Sequence, residues 1–232
     1  MHWNQSIVLI PKEKIKMSVT TTQLHKHATD SIDSTVPSNY VNVKRVLDVV
    51  TIIAVLPFIA VIMVLTAVAI KLESSGNVFF WQKRVGMNGK VFNMLKFRSM
   101  TSDSEQNGSQ FAQSNDMRVT RVGKFIRKFR IDELPQMFNV LKGEMSIIGP
   151  RPEQESFVNE FNQTIPNYAL RHLVRPGITG LAQTEQGYVA DADGTVTKLR
   201  YDLYYIRNLS FMTDFQITLK TIYTILTGFG AR

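Results

Sequence analysis

The 232-residue chain contains no cysteine. That excludes a disulfide framework, a cysteine-ligated zinc site and a thiol nucleophile, and it fits a reducing compartment. Histidine is scarce, at four residues. His25 and His27 would supply half of a metal site but have no third ligand nearby, and a solvated tail accounts for them. His172 stands alone and reads as a packed or surface residue rather than a base. A dinucleotide-binding glycine fingerprint, a P-loop, an HExxH pair and a usable Gly-x-Ser-x-Gly elbow are all missing. The common Rossmann, P-loop, zinc-peptidase and serine-hydrolase chemistries therefore have no footing here.

Charge is absent from one long run. Val49 to Ile70 is 22 residues without an ionisable side chain, about 33 Å as a helix, enough for a typical hydrocarbon core. A soluble core helix is rarely apolar on every face for so long. Pro57 lies near the middle, where it deletes a backbone hydrogen bond and crowds the preceding turn. Basic residues flank both ends, Lys44 and Arg45 before and Lys71, Lys83 and Arg84 after, so the positive-inside rule gives no orientation. Two arrangements stay open on these residues: a kinked span, or a hairpin that turns at Pro57 and returns to the same side. Residues 1–40 are polar, with breakers at Pro11 and Pro37 and one short apolar patch at Ile7 to Ile10, and read as a flexible extension. No apolar core long enough for a signal peptide follows the start.

What is present is positive charge. The net charge is +8, which calls for an anionic partner: a membrane surface, a phosphorylated substrate or nucleic acid. From Arg118 to Arg130 six basic residues occur with no acid among them, while Val122, Phe125, Ile126 and Phe129 fall on one helical face. Such a helix suits membrane lipids. No zinc-finger or RNP motif accompanies it, which argues against nucleic acid. Before it, two Val- and Phe-rich runs flank Asn88-Gly89 and predict a β-hairpin whose turn needs positive φ. Phe79, Phe80 and Trp81 are candidates for the headgroup level. Residues 101–117 read as a polar loop. Leu134, Met137, Phe138 and Leu141 predict a further helix starting near Pro135. Thr213 is a candidate cap for a last helix with Phe215, Leu219, Ile222, Leu226 and Phe229 on one face, either core or interfacial.

The basic run ends on two adjacent carboxylates, Asp132 and Glu133. The helix dipole and the basic neighbours are expected to keep both ionised. Three readings fit: ordinary capping, a site for a hard cation such as Mg²⁺ shared with phosphate oxygens, or an aspartate nucleophile acting at phosphorus. The pair alone does not choose.

The surrounding motifs carry more. Lys96–Met100 (KFRSM), Ile131–Glu153 (IDELPQMFNVLKGEMSIIGPRPE), Arg175–Gly180 (RPGITG) and Lys198–Ile206 (KLRYDLYYI) occur in that order after one apolar segment. Together they closely resemble the bacterial sugar transferase family, the monotopic phosphoglycosyl transferases, over roughly Asn42 to Leu226, in what looks like its minimal form. The resemblance implies transfer of a sugar-1-phosphate from a UDP-sugar to polyprenyl phosphate, usually undecaprenyl phosphate, with release of UMP and Mg²⁺ as cofactor. It implies Asp132 as nucleophile through a covalent phosphosugar and Glu133 as metal ligand. It associates Lys96, Arg151, Arg175 and Asp202 with the site, although Asp202 has a plainer reading as a surface charge or a partner for Arg200; Arg127, five residues before Asp132, is a further candidate to neutralise substrate phosphate. Gly177 and Gly180 are expected to allow a tight loop approaching the substrate, and residues from Gln183 to Tyr188 are candidates for choosing the sugar. A re-entrant helix, the bacterial inner membrane and a catalytic domain on its cytoplasmic face follow from the same resemblance, and a homo-oligomer is allowed for. The expected fold is α+β: a membrane-embedded helix broken at Pro57 (residues 41–72), then a catalytic domain (73–232) with amphipathic interfacial helices and a small antiparallel β element. The competing classes are a Mg²⁺-dependent phosphohydrolase using the same pair, and a non-catalytic membrane anchor.

Overall fold

The computed structural model describes residues 38–101, 118–186 and 192–227. The expectations for the N-terminal extension, the 102–117 segment and Phe229 lie outside these residues. The fold is α+β, as expected.

The uncharged run forms most of one 36-residue helix, α1 (Ser38–Glu73). The break expected at Pro57 does not occur: the helix continues through it. Proline costs one N–H and crowds the preceding turn, which strains a helix without obliging it to end. Ile52, Met63, Thr66 and Ile70 face the rest of the protein, while Val50, Phe58, Val61 and Leu65 face outward and are more than half exposed. By length and composition α1 is able to cross a membrane.

Both ends of α1 are nevertheless fixed to the same domain. Near its start, Tyr40 and Lys44 each donate to Asp214 Oδ2 at 2.7 Å, and Asp48 accepts from Ser146 Oγ at 2.7 Å. Arg45 donates to the carbonyls of Val140 and Leu141. Near its end, Glu73 accepts from the backbone N–H groups of Arg121 (2.8 Å) and Val122 (3.0 Å), the first turn of the basic helix α2 (Arg121–Lys128). Free N–H groups at a helix start take a carboxylate well.

The predicted hairpin is formed by β1 (Phe79–Val85) and β2 (Val91–Phe97), antiparallel, with Phe79 opposite Phe97 and Val85 opposite Val91. Asn88 and Gly89 carry the positive φ that the turn needs, 56° and 73°. After α2, a 3-10 turn at Ile131–Glu133 leads into α3 (Gln136–Lys142). The remaining elements are β3 (Ser146–Ile148), α4 (Glu155–Thr164), a 3-10 segment at Tyr168–Leu173, β4 (Gly177–Thr179), α5 (Leu181–Glu185), α6 (Ala192–Arg207) and α7 (Phe211–Thr227).

β3 and β4 pair in parallel, a contact that the hairpin patterning did not foreshadow. Three glycines make it possible. A Cβ on Gly177 would lie 2.1 Å from the Gly149 nitrogen, and one on Gly180 2.2 Å from the Gly149 oxygen. The glycines expected to approach a substrate instead admit the backbone of the Gly-Pro-Arg-Pro motif.

Three apolar clusters hold the domain. Val158, Leu199, Leu203, Ile206 and Ile217 centre the largest, between α4, α6 and α7. Ile52 joins Phe92, Met94, Val140 and Met145. Met63 and Ile70 join Phe97 and Ile126, with Ile131 and Leu134 packed alongside, so the acidic turn is seated on α1 and the hairpin. The last helix starts two residues before the expected cap, and Ser210 Oγ accepts from the Thr213 N–H. Its face at Phe215, Leu219, Ile222 and Leu226 is exposed rather than core, 48% to 81%.

Candidate active site

Asp132 and Glu133 are both buried, at 9% and 7% exposure, in the 3-10 turn between α2 and α3. Arg130 ahead of them holds a left-handed backbone (φ 56°), which turns the chain sharply out of α2. The two carboxylates are not equivalent. Glu133 Oε1 accepts from Arg151 Nη2 at 2.6 Å and from Lys96 Nζ at 3.3 Å, and its Oε2 accepts from Arg151 Nη1 at 3.3 Å. This is a forked guanidinium–carboxylate pair with an ammonium on one prong. Asp132 accepts no hydrogen bond from the described residues.

Their acidities diverge accordingly. Burial opposes ionisation of Glu133, but the Arg151 and Lys96 charges outweigh it and hold the carboxyl well below the usual range. Burial and then the neighbouring Glu133 charge push Asp132 up to about 6, against the pull of Lys96, Arg127 and Arg151. Both carboxylates are still mostly ionised at neutral pH, as expected of the pair, but Asp132 gives up that state far more readily than Glu133. The turn is not a long helix N-terminus, and burial beside a like charge wins at Asp132. Burial lowers the Lys96 ammonium, and Glu133 partly restores it.

Arg151 is presented by a backbone that is tied at every residue. The Gly149 N–H donates to Thr179 O (2.9 Å), and Pro150 O accepts from the Gly177 N–H (2.9 Å). Arg151 O accepts from Arg171 Nη2 (2.8 Å) and Pro152 O from Arg84 Nη1 (3.1 Å). Glu153 O accepts from the Val85 N–H at 3.0 Å. Two prolines further restrict φ. Little entropy remains to be lost when the guanidinium is held on its target.

Behind this segment lies a second ionic cluster. Arg171 donates from Nε (3.0 Å) and Nη2 (2.7 Å) to Asp202 Oδ2, and from Nη1 to the Tyr168 hydroxyl (2.9 Å). Both side chains of the ion pair are 2% exposed. Lys198 pairs with Glu153, which also lies 3.6 Å from Arg84. The Lys198 and Arg171 charges hold the Glu153 carboxyl down at about 2 despite its burial.

The predicted residues therefore separate into groups. Lys96, Arg151, Glu133 and Asp132 converge directly. Arg127 is half-buried on α2, and its charge is felt at Asp132. Asp202 reaches the cluster only through Arg171; its partner is that arginine rather than Arg200, and it is buried, not a surface charge. Arg175 is not brought to the pair: its Nε donates to Gly143 O (3.1 Å) at the end of α3, beside Arg45. Arg171, Arg84 and Glu153 gave no separate signal, because each is a lone charge in sequence whose partner is far along the chain. His172 is partly buried, with burial lowering it to about 4, as its plain reading implied.

Among the described residues no three His, Cys, Asp or Glu side chains converge as a metal cage. Two adjacent carboxylates do suit a Mg²⁺ ion completed by substrate phosphate oxygens. Glu133 Oε2 bears one long hydrogen bond (3.3 Å) and keeps a lone pair for it.

This geometry can be set beside known proteins. Residues 39–228 match the family described as bacterial sugar transferase. The chain belongs to that family. A protein of Aeromonas hydrophila, named UDP-N-acetylgalactosamine-undecaprenyl-phosphate N-acetylgalactosaminephosphotransferase, is 56% identical over 209 residues, which is 90% of this chain and 49% of the relative. A UDP-glucose:undecaprenyl-phosphate glucose-1-phosphate transferase of Klebsiella pneumoniae is 42% identical over 81% of this chain and 41% of its own length. One of Caulobacter vibrioides with the same name is 41% identical, over 79% and 70% respectively. This bacterial sugar transferase chain thus spans about half the length of the first two relatives.

Proposed function

We propose that the protein transfers a sugar-1-phosphate from a UDP-sugar to undecaprenyl phosphate and releases UMP. The observation that carries this reading is the division between the two carboxylates. Glu133 is neutralised by Arg151 and Lys96, while Asp132 accepts no hydrogen bond from any of the described residues. In the first step an Asp132 oxygen attacks the β-phosphorus. The bond from that phosphorus to the bridging oxygen breaks, and UMP departs with the oxygen. In the second step a phosphate oxygen of the lipid attacks the same phosphorus, breaks the bond to Asp132 and restores the carboxylate.

The cations serve the donor's charge. Arg151 is 28% exposed and Lys96 15%, so both can meet diphosphate oxygens without leaving Glu133. Glu133 would hold Mg²⁺. When bound, that ion supplies charge neutralisation at the diphosphate. A carboxylate nucleophile needs no base, which agrees with the lack of a histidine near Asp132.

The attachments of α1 bear on the proposed membrane arrangement. A helix crossing the bilayer leaves its ends about 30 Å apart on opposite sides. Here Lys44 and Asp48 at one end and Glu73 at the other bind one domain, which supports a monotopic, surface-lying helix over a span. The domain then sits on the cytoplasmic face of the inner membrane, where the nucleotide sugar is soluble and the acceptor is a lipid. The product would begin a bacterial exopolysaccharide, capsule or O-antigen.

The test is UMP release from a panel of UDP-sugars with Mg²⁺, with and without undecaprenyl phosphate. The name of the Aeromonas relative makes UDP-N-acetylgalactosamine the first donor to try. Multiple turnovers that require the lipid support the proposal. Sustained release without lipid would make the protein a phosphohydrolase instead.

A further inference from the structure

Helix α2 carries a surface that neither its packing nor the acid pair accounts for. Val122 and Ile126 seat it on Met63, Ile70 and Phe97. Phe125 and Phe129, expected on the same helical face as Val122 and Ile126, are instead 58% and 41% exposed. Their ring centroids lie 5.0 Å apart, and the Lys128 ammonium sits 5.6 Å over the Phe129 ring. Lys124 and Lys128 are exposed on the same helix, and Arg127 is felt at Asp132. Three residues after Phe129 comes Asp132 itself. On its other side Phe138 of α3 is 39% exposed. Along the chain the acidic turn thus lies between exposed aromatic residues, with the Lys128 ammonium over one of their rings.

An exposed apolar pair bearing cations, three residues before a phosphoryl-transfer carboxylate in the chain, has a matching ligand class: a lipid phosphate with a long hydrocarbon chain. A soluble nucleotide sugar has no use for exposed phenyl rings, whereas an isoprenoid chain buries them. Aromatic rings that only packed the domain would lie on the buried stripe with Ile126. We infer that Phe125 and Phe129 seat the first isoprene units of the acceptor, with Lys124 and Lys128 drawing its phosphate toward Asp132. This rests on the reaction proposed above and names which surface takes its lipid partner.

The experiment uses the full chain in nanodiscs of zwitterionic lipid and compares wild type with a Phe125→Ala, Phe129→Ala double variant. Loss of the two contacts should raise KM for undecaprenyl phosphate about tenfold or more. The single-turnover burst of UMP, which needs no acceptor, should keep its rate. A preference of the wild type for long over short polyprenyl phosphates should shrink in the variant, and Phe129→Leu should retain most of the wild-type KM. An unchanged acceptor KM overturns the inference. So does a raised KM that disappears when equal amounts of nanodisc-bound enzyme are compared, because the rings would then only anchor the protein to the bilayer. Failure of the underlying reaction looks different: the wild type would give no UMP burst from any UDP-sugar.

Discussion

Two clusters of buried charge lie on either side of Arg151, built from the same residue types and opposite in character. In one, Asp202, Arg171 and Tyr168 satisfy one another, and both members of the ion pair are 2% exposed. In the other, Glu133 is held by Lys96 and Arg151, but the cations remain partly open to solvent and Asp132 has no hydrogen-bond partner among the described residues. Arg151 belongs to both: its backbone carbonyl accepts from Arg171 and its guanidinium grips Glu133. The difference teaches how charge is divided between scaffold and chemistry. A closed ion pair with every guanidinium nitrogen bonded fixes geometry. An open cluster with three nearby cations, Lys96, Arg127 and Arg151, against two carboxylates keeps a positive excess for a diphosphate.

Removing Asp132 should break the comparison most severely. Asp132→Asn is expected to lower turnover by roughly four orders of magnitude or more, because no other group replaces a nucleophile. Its circular dichroism should match wild type, and steady-state UMP release checks the rate. On the closed side, Asp202→Ala leaves the Arg171 charge buried and unpaired and should cost about 3–5 kcal/mol of stability, read as a clear fall in Tm. Arg151→Lys sharpens the contrast. It keeps the charge but loses the fork, so kcat/KM should fall about ten- to a hundredfold with little change in Tm.

The acidities give two smaller effects. Asp132 must be ionised to attack, and burial with Glu133 pushes it up to about 6. The single-turnover burst should therefore fall about tenfold for each pH unit below that value. The same shift has a stability consequence. A carboxyl whose folded value exceeds its unfolded one stabilises the fold at low pH, and that contribution is lost as pH rises toward and through about 6. At neutral pH Asp132→Asn should accordingly raise Tm by a few degrees. A Tm below wild type would argue that the carboxylate is a structural partner instead.

Much of this was legible in sequence because it is local. Asn88-Gly89 announced the hairpin turn, and the spacing of Val122 and Ile126 announced the basic helix. The KFRSM, DELPQ and GPRP runs carried Lys96, Glu133 and Arg151, which meet in one cluster, and the family match agrees with the resemblance. What stayed hidden depends on contacts between distant residues. Arg171 and Asp202 are 31 positions apart and Lys198 and Glu153 are 45 apart, and no periodicity links them. Three-residue strands are too short to show a pattern, so the β3–β4 pair was not foreseen. Arg175 stands in a motif with the right chemistry but spends its Nε donor on the end of α3. Pro57 was expected to break a helix that continues through it. In both cases the neighbours in space, which the sequence does not show, set what the side chain touches.

The most direct test of the central claim is intact-protein mass spectrometry after mixing the enzyme with its UDP-sugar and Mg²⁺ in the absence of acceptor. The account predicts a mass increase of one phosphosugar, mapped to Asp132 by proteolysis and discharged on adding undecaprenyl phosphate. Lipid-linked product formed with no adduct under quenched conditions, or an adduct on any other residue, would contradict it.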